Sequence, residues 1–118
     1  MGTLQEKFMQ LKNELESEFS IKSAEKLLNE ICNVNNSDSI ELLLSLLKDD
    51  FEYDEFMFSI IHCIEKFETQ IYVKHILNSI PTFIYKSPRW ASIIHMRILN
   101  SEKTLLAYII EIRQNAVD

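Results

Sequence analysis

Seven consecutive residues, Asp49 to Glu55, hold five carboxylates. Asp49, Asp50, Glu52, Asp54 and Glu55 are interleaved with two aromatics, Phe51 and Tyr53. Carboxylates this close repel one another and attract cations. Two roles suit such a segment. One is a surface for a cationic partner, with the two rings as anchors. The other is the start of a helix, where acids lie favourably beside the helix dipole. The dipole accounts for Asp54 and Glu55 but less well for Asp49 through Tyr53. The whole segment, Asp49 to Glu55, is therefore the candidate partner-binding site. A calcium loop does not fit, because the alternate-ligand spacing and the turn glycine are missing.

The remaining reactive side chains do not assemble into a catalytic or metal-binding pattern. His62 and Cys63 are adjacent, so on a helix they point about 100° apart. With His75 and His95 they form neither HExxH nor paired CxxC, and no metal site is expected. His62 and His95 instead read as structural. Ser59 precedes His62 at helical spacing, but nothing nearby suggests an exposed nucleophile with an oxyanion hole. No enzyme and no cofactor are expected. Cys32 and Cys63 lie near apolar residues and read as buried, reduced thiols. Trp90 reads as core packing, with a partner contact as the alternative. Arg89, Arg97 and Lys103 are either solvated or paired with acids of neighbouring elements.

Composition narrows the classes further. The 118 residues suit one domain, taken as 1–118, and 47% of them are apolar. The net charge of −6 argues against a nucleic-acid binder and against a polybasic membrane module. That charge is uneven: residues 1–60 hold 5 basic and 13 acidic residues, while 61–118 hold 7 and 5. An acidic half suggests a basic partner or a solvated acidic face. The only glycine is Gly2, which excludes Gly-rich phosphate loops and disfavours tight hairpins. No apolar run approaches the ~20 residues of a membrane span, and no signal core is evident. A cytoplasmic location is expected.

Helices must position these residues, because apolar residues recur at helical spacing throughout. Leu4, Phe8, Leu11 and Leu15 form the first stripe. Ser20 or Ser23 caps a second, with Ala24, Leu27, Leu28 and Ile31. Ser37 or Asp38 caps a third, with Ile40, Leu43, Leu44 and Leu47. Further stripes follow through Phe56–Ile64 and Val73–Ile80, where Pro81 bends or ends the helix. Ser87 caps another helix with Pro88 at its first position, and Ser101 caps the last, ending near Arg113. Ser59-Ile60-Ile61-His62 recurs as Ser92-Ile93-Ile94-His95, 33 residues on. The same period aligns Ile40, Val73 and Leu106, then Leu43, Ile76 and Ile109, then Leu44, Leu77 and Ile110. The expected fold is all-α: stacked αα-hairpins of HEAT-like or TPR-like type near 20–48, 53–80 and 87–114, with an N-terminal helix.

Two stretches carry a resemblance. FEYDEFMFSIIHCIEKFE and SPRWASIIHMRILNSE resemble small all-α bacterial immunity proteins encoded beside polymorphic toxins, including those of contact-dependent growth inhibition. The similarity runs from Phe51 to Glu102, a little under half the chain. It implies a cytoplasmic antidote that binds a cognate toxin domain, commonly a nuclease with a basic cleft, and blocks it. It does not identify contact residues. The alternative function is a helical-repeat adaptor that binds peptides in a groove. The oligomeric state stays open.

Overall fold

The computed structural model describes residues 3–17 and 19–116. Among them are seven helices and no strand. The Thr3 hydroxyl accepts the Glu6 backbone N–H at 3.1 Å and caps α1, Leu4–Glu16, which buries Phe8 and Leu11. Ser20 begins α2, Ile21–Asn33, and Ser23 falls inside it. The turn that follows uses Asn35 at φ 56°, a left-handed conformation that asparagine tolerates. The Asn36 side chain then accepts the Asp38 N–H at 3.0 Å and steers the chain into α3, Asp38–Leu44. The remaining helices are α4, Asp54–Ile64, α5, Thr69–Lys86, α6, Pro88–Leu99, and α7, Glu102–Ala116.

The predicted apolar stripes of α2, α3 and α4 are buried, while Leu106, Ile109 and Ile110 of α7 stay exposed. Ala24, Leu27, Leu28 and Ile31 of α2, Ile40, Leu43 and Leu44 of α3, and Phe56, Ile60, Ile61 and Ile64 of α4 all lie in one core. Their burial releases ordered water along a continuous interior, which is what holds the helices together. The molecule is elongated, 45 × 30 × 24 Å.

Some alternate helices lie side by side: α2 against α4, and α3, α5 and α7 in a row. The pairing between neighbours differs from the expected hairpins. Among consecutive helices, α1 packs with α2, α3 with α4, α5 with α6, and α6 with α7. Only the third expected hairpin is thus a tightly packed pair. The first two are held mainly by the elements before and after them.

Two boundaries and one covalent link also differ. α5 continues through Pro81 to Lys86. Proline removes one backbone donor from the helical ladder, but Phe83 beyond it is buried and anchors the last turn. α7 runs past Arg113 to Ala116. Finally, Cys32 and Cys63 are not separate thiols: they are paired as a disulfide between α2 and α4, with Cα atoms 6.0 Å apart. Sequence spacing hid this pair, because stacking two helices is what brings their sulfurs together.

Candidate partner-binding surface

The acidic segment spans the loop before α4 and its first turn. Its seven residues divide into two groups. The first group is engaged by the start of α6. Both Asp49 carboxylate oxygens accept backbone N–H groups at the start of α6, from Arg89 at 2.9 Å and Trp90 at 3.3 Å. Asp49 therefore does for α6 what the sequence assigns to Ser87. The Ser87 hydroxyl, nearly fully buried, instead donates to the Leu47 carbonyl. Asp54 is held too: it forms a two-pronged ion pair with the Arg89 guanidinium. The hydrogen bond from Arg89 keeps the Asp54 carboxyl below its ordinary range, with desolvation opposing it and the positive charge of Arg89 adding to it. Arg89 also lies over the Trp90 ring at 4.9 Å.

The aromatics of the segment pack on Phe19, in the link between α1 and α2. Phe51 meets Phe19 edge-on at 5.3 Å, and Tyr53 stacks on it at 5.0 Å. Phe56 closes the cluster at 5.5 Å. Phe51 is half-buried, while Tyr53 keeps 41% of its surface exposed. Phe19 is the member that sequence reasoning missed. It stands outside any helical stripe, and only its aromatic type hinted at a partner.

The second group faces solvent. Asp50, Glu52 and Glu55 are exposed, and their side chains take no hydrogen bond or ion pair among the described residues. With the open part of Tyr53 they form an exposed acidic segment.

Trp90 belongs to the core. It is 0% exposed, meets Phe58 edge-on at 5.1 Å, and donates its indole N–H to the Lys48 carbonyl at 3.0 Å. Arg97 pairs with Glu65 through two bonds of 2.7 Å, joining the α6 and α4 ends. This pair, with Tyr72, Asn100, Ser101 and Thr104, lines a cleft of about 410 Å³. The Tyr72 hydroxyl is buried without a hydrogen-bond partner among the described residues. Burial first, and the Glu65 charge second, push its ionisation well above the usual tyrosine range.

The histidines are dispersed. His75 bonds Glu41 at 2.6 Å between α5 and α3. His95 bridges the Ala91 carbonyl and the Tyr108 hydroxyl, at 2.7 and 2.8 Å. His62 is exposed. The Ser59 hydroxyl donates to Glu25 at 2.8 Å rather than to His62. Among the described residues, no three His, Cys, Asp or Glu side chains gather in metal-binding geometry, and no helix is long and apolar enough to cross a membrane.

A family model described as Immunity protein 30 matches residues 11–108, which is most of the chain. No curated protein and no solved structure matches.

Proposed function

The chain belongs to the Immunity protein 30 family and is an immunity protein of a toxin system, and from this premise we propose how it neutralises its toxin. It acts in the cytoplasm, where the reducing environment keeps the Cys32–Cys63 bridge open, as one non-enzymatic domain, 1–118, and needs no cofactor. It binds a cognate toxin domain and covers the active site. The toxin is a nuclease of a contact-dependent growth inhibition system, with a basic cleft that normally receives phosphates. Asp50, Glu52 and Glu55 occupy that cleft in place of phosphates, and Tyr53 packs at the edge of the contact. Asp49, Phe51 and Asp54 hold this surface in place: a loop fixed before binding loses less entropy when it binds.

The family match carries the toxin-binding reading. Three unpartnered, exposed carboxylates beside a half-open tyrosine support the choice of surface. The first test is co-expression. The adjacent upstream gene product, expressed alone, arrests growth, and adding this chain restores it. A harmless upstream product would remove that toxin from consideration. The second test addresses the surface. Asp50→Lys, Glu52→Lys and Glu55→Lys together weaken toxin binding by at least about a hundredfold in calorimetry. Undiminished affinity would move the site elsewhere without touching the immunity function.

A further inference from the structure

Repeat stacking covers the same face of each unit with the next one. α3 presents Ile40, Leu43 and Leu44, all buried, and α5 packs on it. α5 presents Val73 and Ile76, both buried, and α7 packs on it. The third set at the same period is Leu106, Ile109 and Ile110 of α7. These are 61%, 43% and 48% exposed. The last unit thus keeps the apolar residues of a stacking face, but they stay about half open: Ile110 borders a groove with Ile71 and Val73 of α5, and Leu106 is the most exposed of the three. Leu99, just before α7, adds a further exposed apolar side chain. Contiguous exposed apolar area of this kind marks an interaction surface.

Charge at the ends of this face selects the occupant. Glu102, Leu106, Ile109, Ile110 and Arg113 follow a spacing of i, i+4, i+7, i+8 and i+11, which places them along one side of the helix. The opposite side, with Thr104, Ala107, Tyr108 and Glu111, turns toward the rest of the fold. The exposed stripe is therefore acidic at its beginning, apolar in the middle and basic at its end. Such a stripe is complementary to itself when reversed. Two copies related by a twofold axis, with α7 helices antiparallel, bring Glu102 of each against Arg113 of the other. Leu106 then meets Ile109 between them. A twofold contact of one patch with itself is the commonest form of subunit interface.

We propose that two copies of this chain associate through antiparallel α7 helices, closing at the dimer axis the face that stacking leaves open. One pair of 15-residue helices is a small contact, so the dimer forms reversibly, with a dissociation constant on the order of tens of micromolar.

Sedimentation equilibrium of the full chain tests this, with circular dichroism to check folding. All substituted positions are exposed, so each variant keeps the wild-type helical spectrum. Leu106→Glu raises the dissociation constant at least about tenfold. Glu102→Arg alone, or Arg113→Glu alone, sets like charges together at both ends and weakens the dimer by about tenfold. The two reversals combined in one chain restore it, because each new charge meets its opposite again. A wild type that stays monomeric up to about 1 mM overturns the proposal. So does a double reversal no better than the single ones. A monomeric wild type whose growth protection disappears on Leu106→Glu assigns the face to the toxin, and the dimer is then wrong.

Discussion

Asp49 and Asp50 are neighbours of the same type, yet they face different tasks. Asp49 satisfies two backbone N–H groups at the start of α6, while Asp50 has no side-chain partner among the described residues. A helix start leaves several donors unpaired, and a carboxylate there both accepts and complements the dipole. Asp49→Ala should cost about 1–2 kcal/mol of stability by urea denaturation. Asp50→Ala should change it by less than about 0.5 kcal/mol. Equal losses would remove Asp49 from the capping role. Asp54 adds a pH dependence. Its folded pKa lies below the ordinary value of 3.8 because Arg89 hydrogen-bonds the ionised form. A depressed folded pKa stabilises above the unfolded value, and the effect is lost as pH falls through the folded one. Wild type should therefore exceed Asp54→Asn in stability at pH 6, and the difference should shrink as the pH drops below about 4. The pair is exposed, so the difference at pH 6 is small.

At the scale of elements, α2 and α4 are joined by more than packing. The disulfide between Cys32 and Cys63 closes a loop with a sequence separation of 31. Closing such a loop restricts the unfolded chain, for a stabilisation of up to about 3–4 kcal/mol. The surrounding core is complete without it, since Leu28, Ile31, Ile60 and Ile61 are buried on the same two helices. Reduction should thus lower the melting temperature measured by calorimetry while leaving the protein folded at 25 °C. A melting curve unchanged by reductant would mean that the bridge contributes nothing. In α5, Pro81 removes one backbone donor from a helix that runs through it to Lys86, with Phe83 buried beyond it. Pro81→Ala restores the missing donor and should add about 1–2 kcal/mol to unfolding in urea.

At the scale of the molecule, the uneven charge is what a partner first meets. The acidic excess lies in residues 1–60, and part of it is consumed by internal pairs such as Lys7–Glu30 and Lys48–Glu16. What remains exposed, Asp50, Glu52 and Glu55 included, sets a long-range field. If the toxin's cleft is basic, association should slow by about tenfold or more between roughly 50 and 500 mM salt. Dissociation should change far less, because short-range packing at Tyr53 is only weakly screened. Stopped-flow mixing measures both rates. A salt-independent association rate would argue against an electrostatic site.

Sequence alone determined most of the helices and the inward faces of α2, α3 and α4. The spacing of Ala24, Leu27, Leu28 and Ile31, or of Ile40, Leu43 and Leu44, is a local property that one helix expresses by itself. The family resemblance was also legible, in Phe51 to Glu102, although the family match extends back to residue 11. The capping role of Asp49 was not legible, because its partners lie 40 and 41 residues away. The same holds for the cysteine pair, for Phe19 beneath Phe51 and Tyr53, and for the open face of α7. Composition marks a carboxylate or an isoleucine as available, but whether it is already used depends on which helix comes to rest against it. That choice is made by packing between distant segments, so only the tertiary structure could separate Asp49 from Asp50, or Ile76 from Ile109.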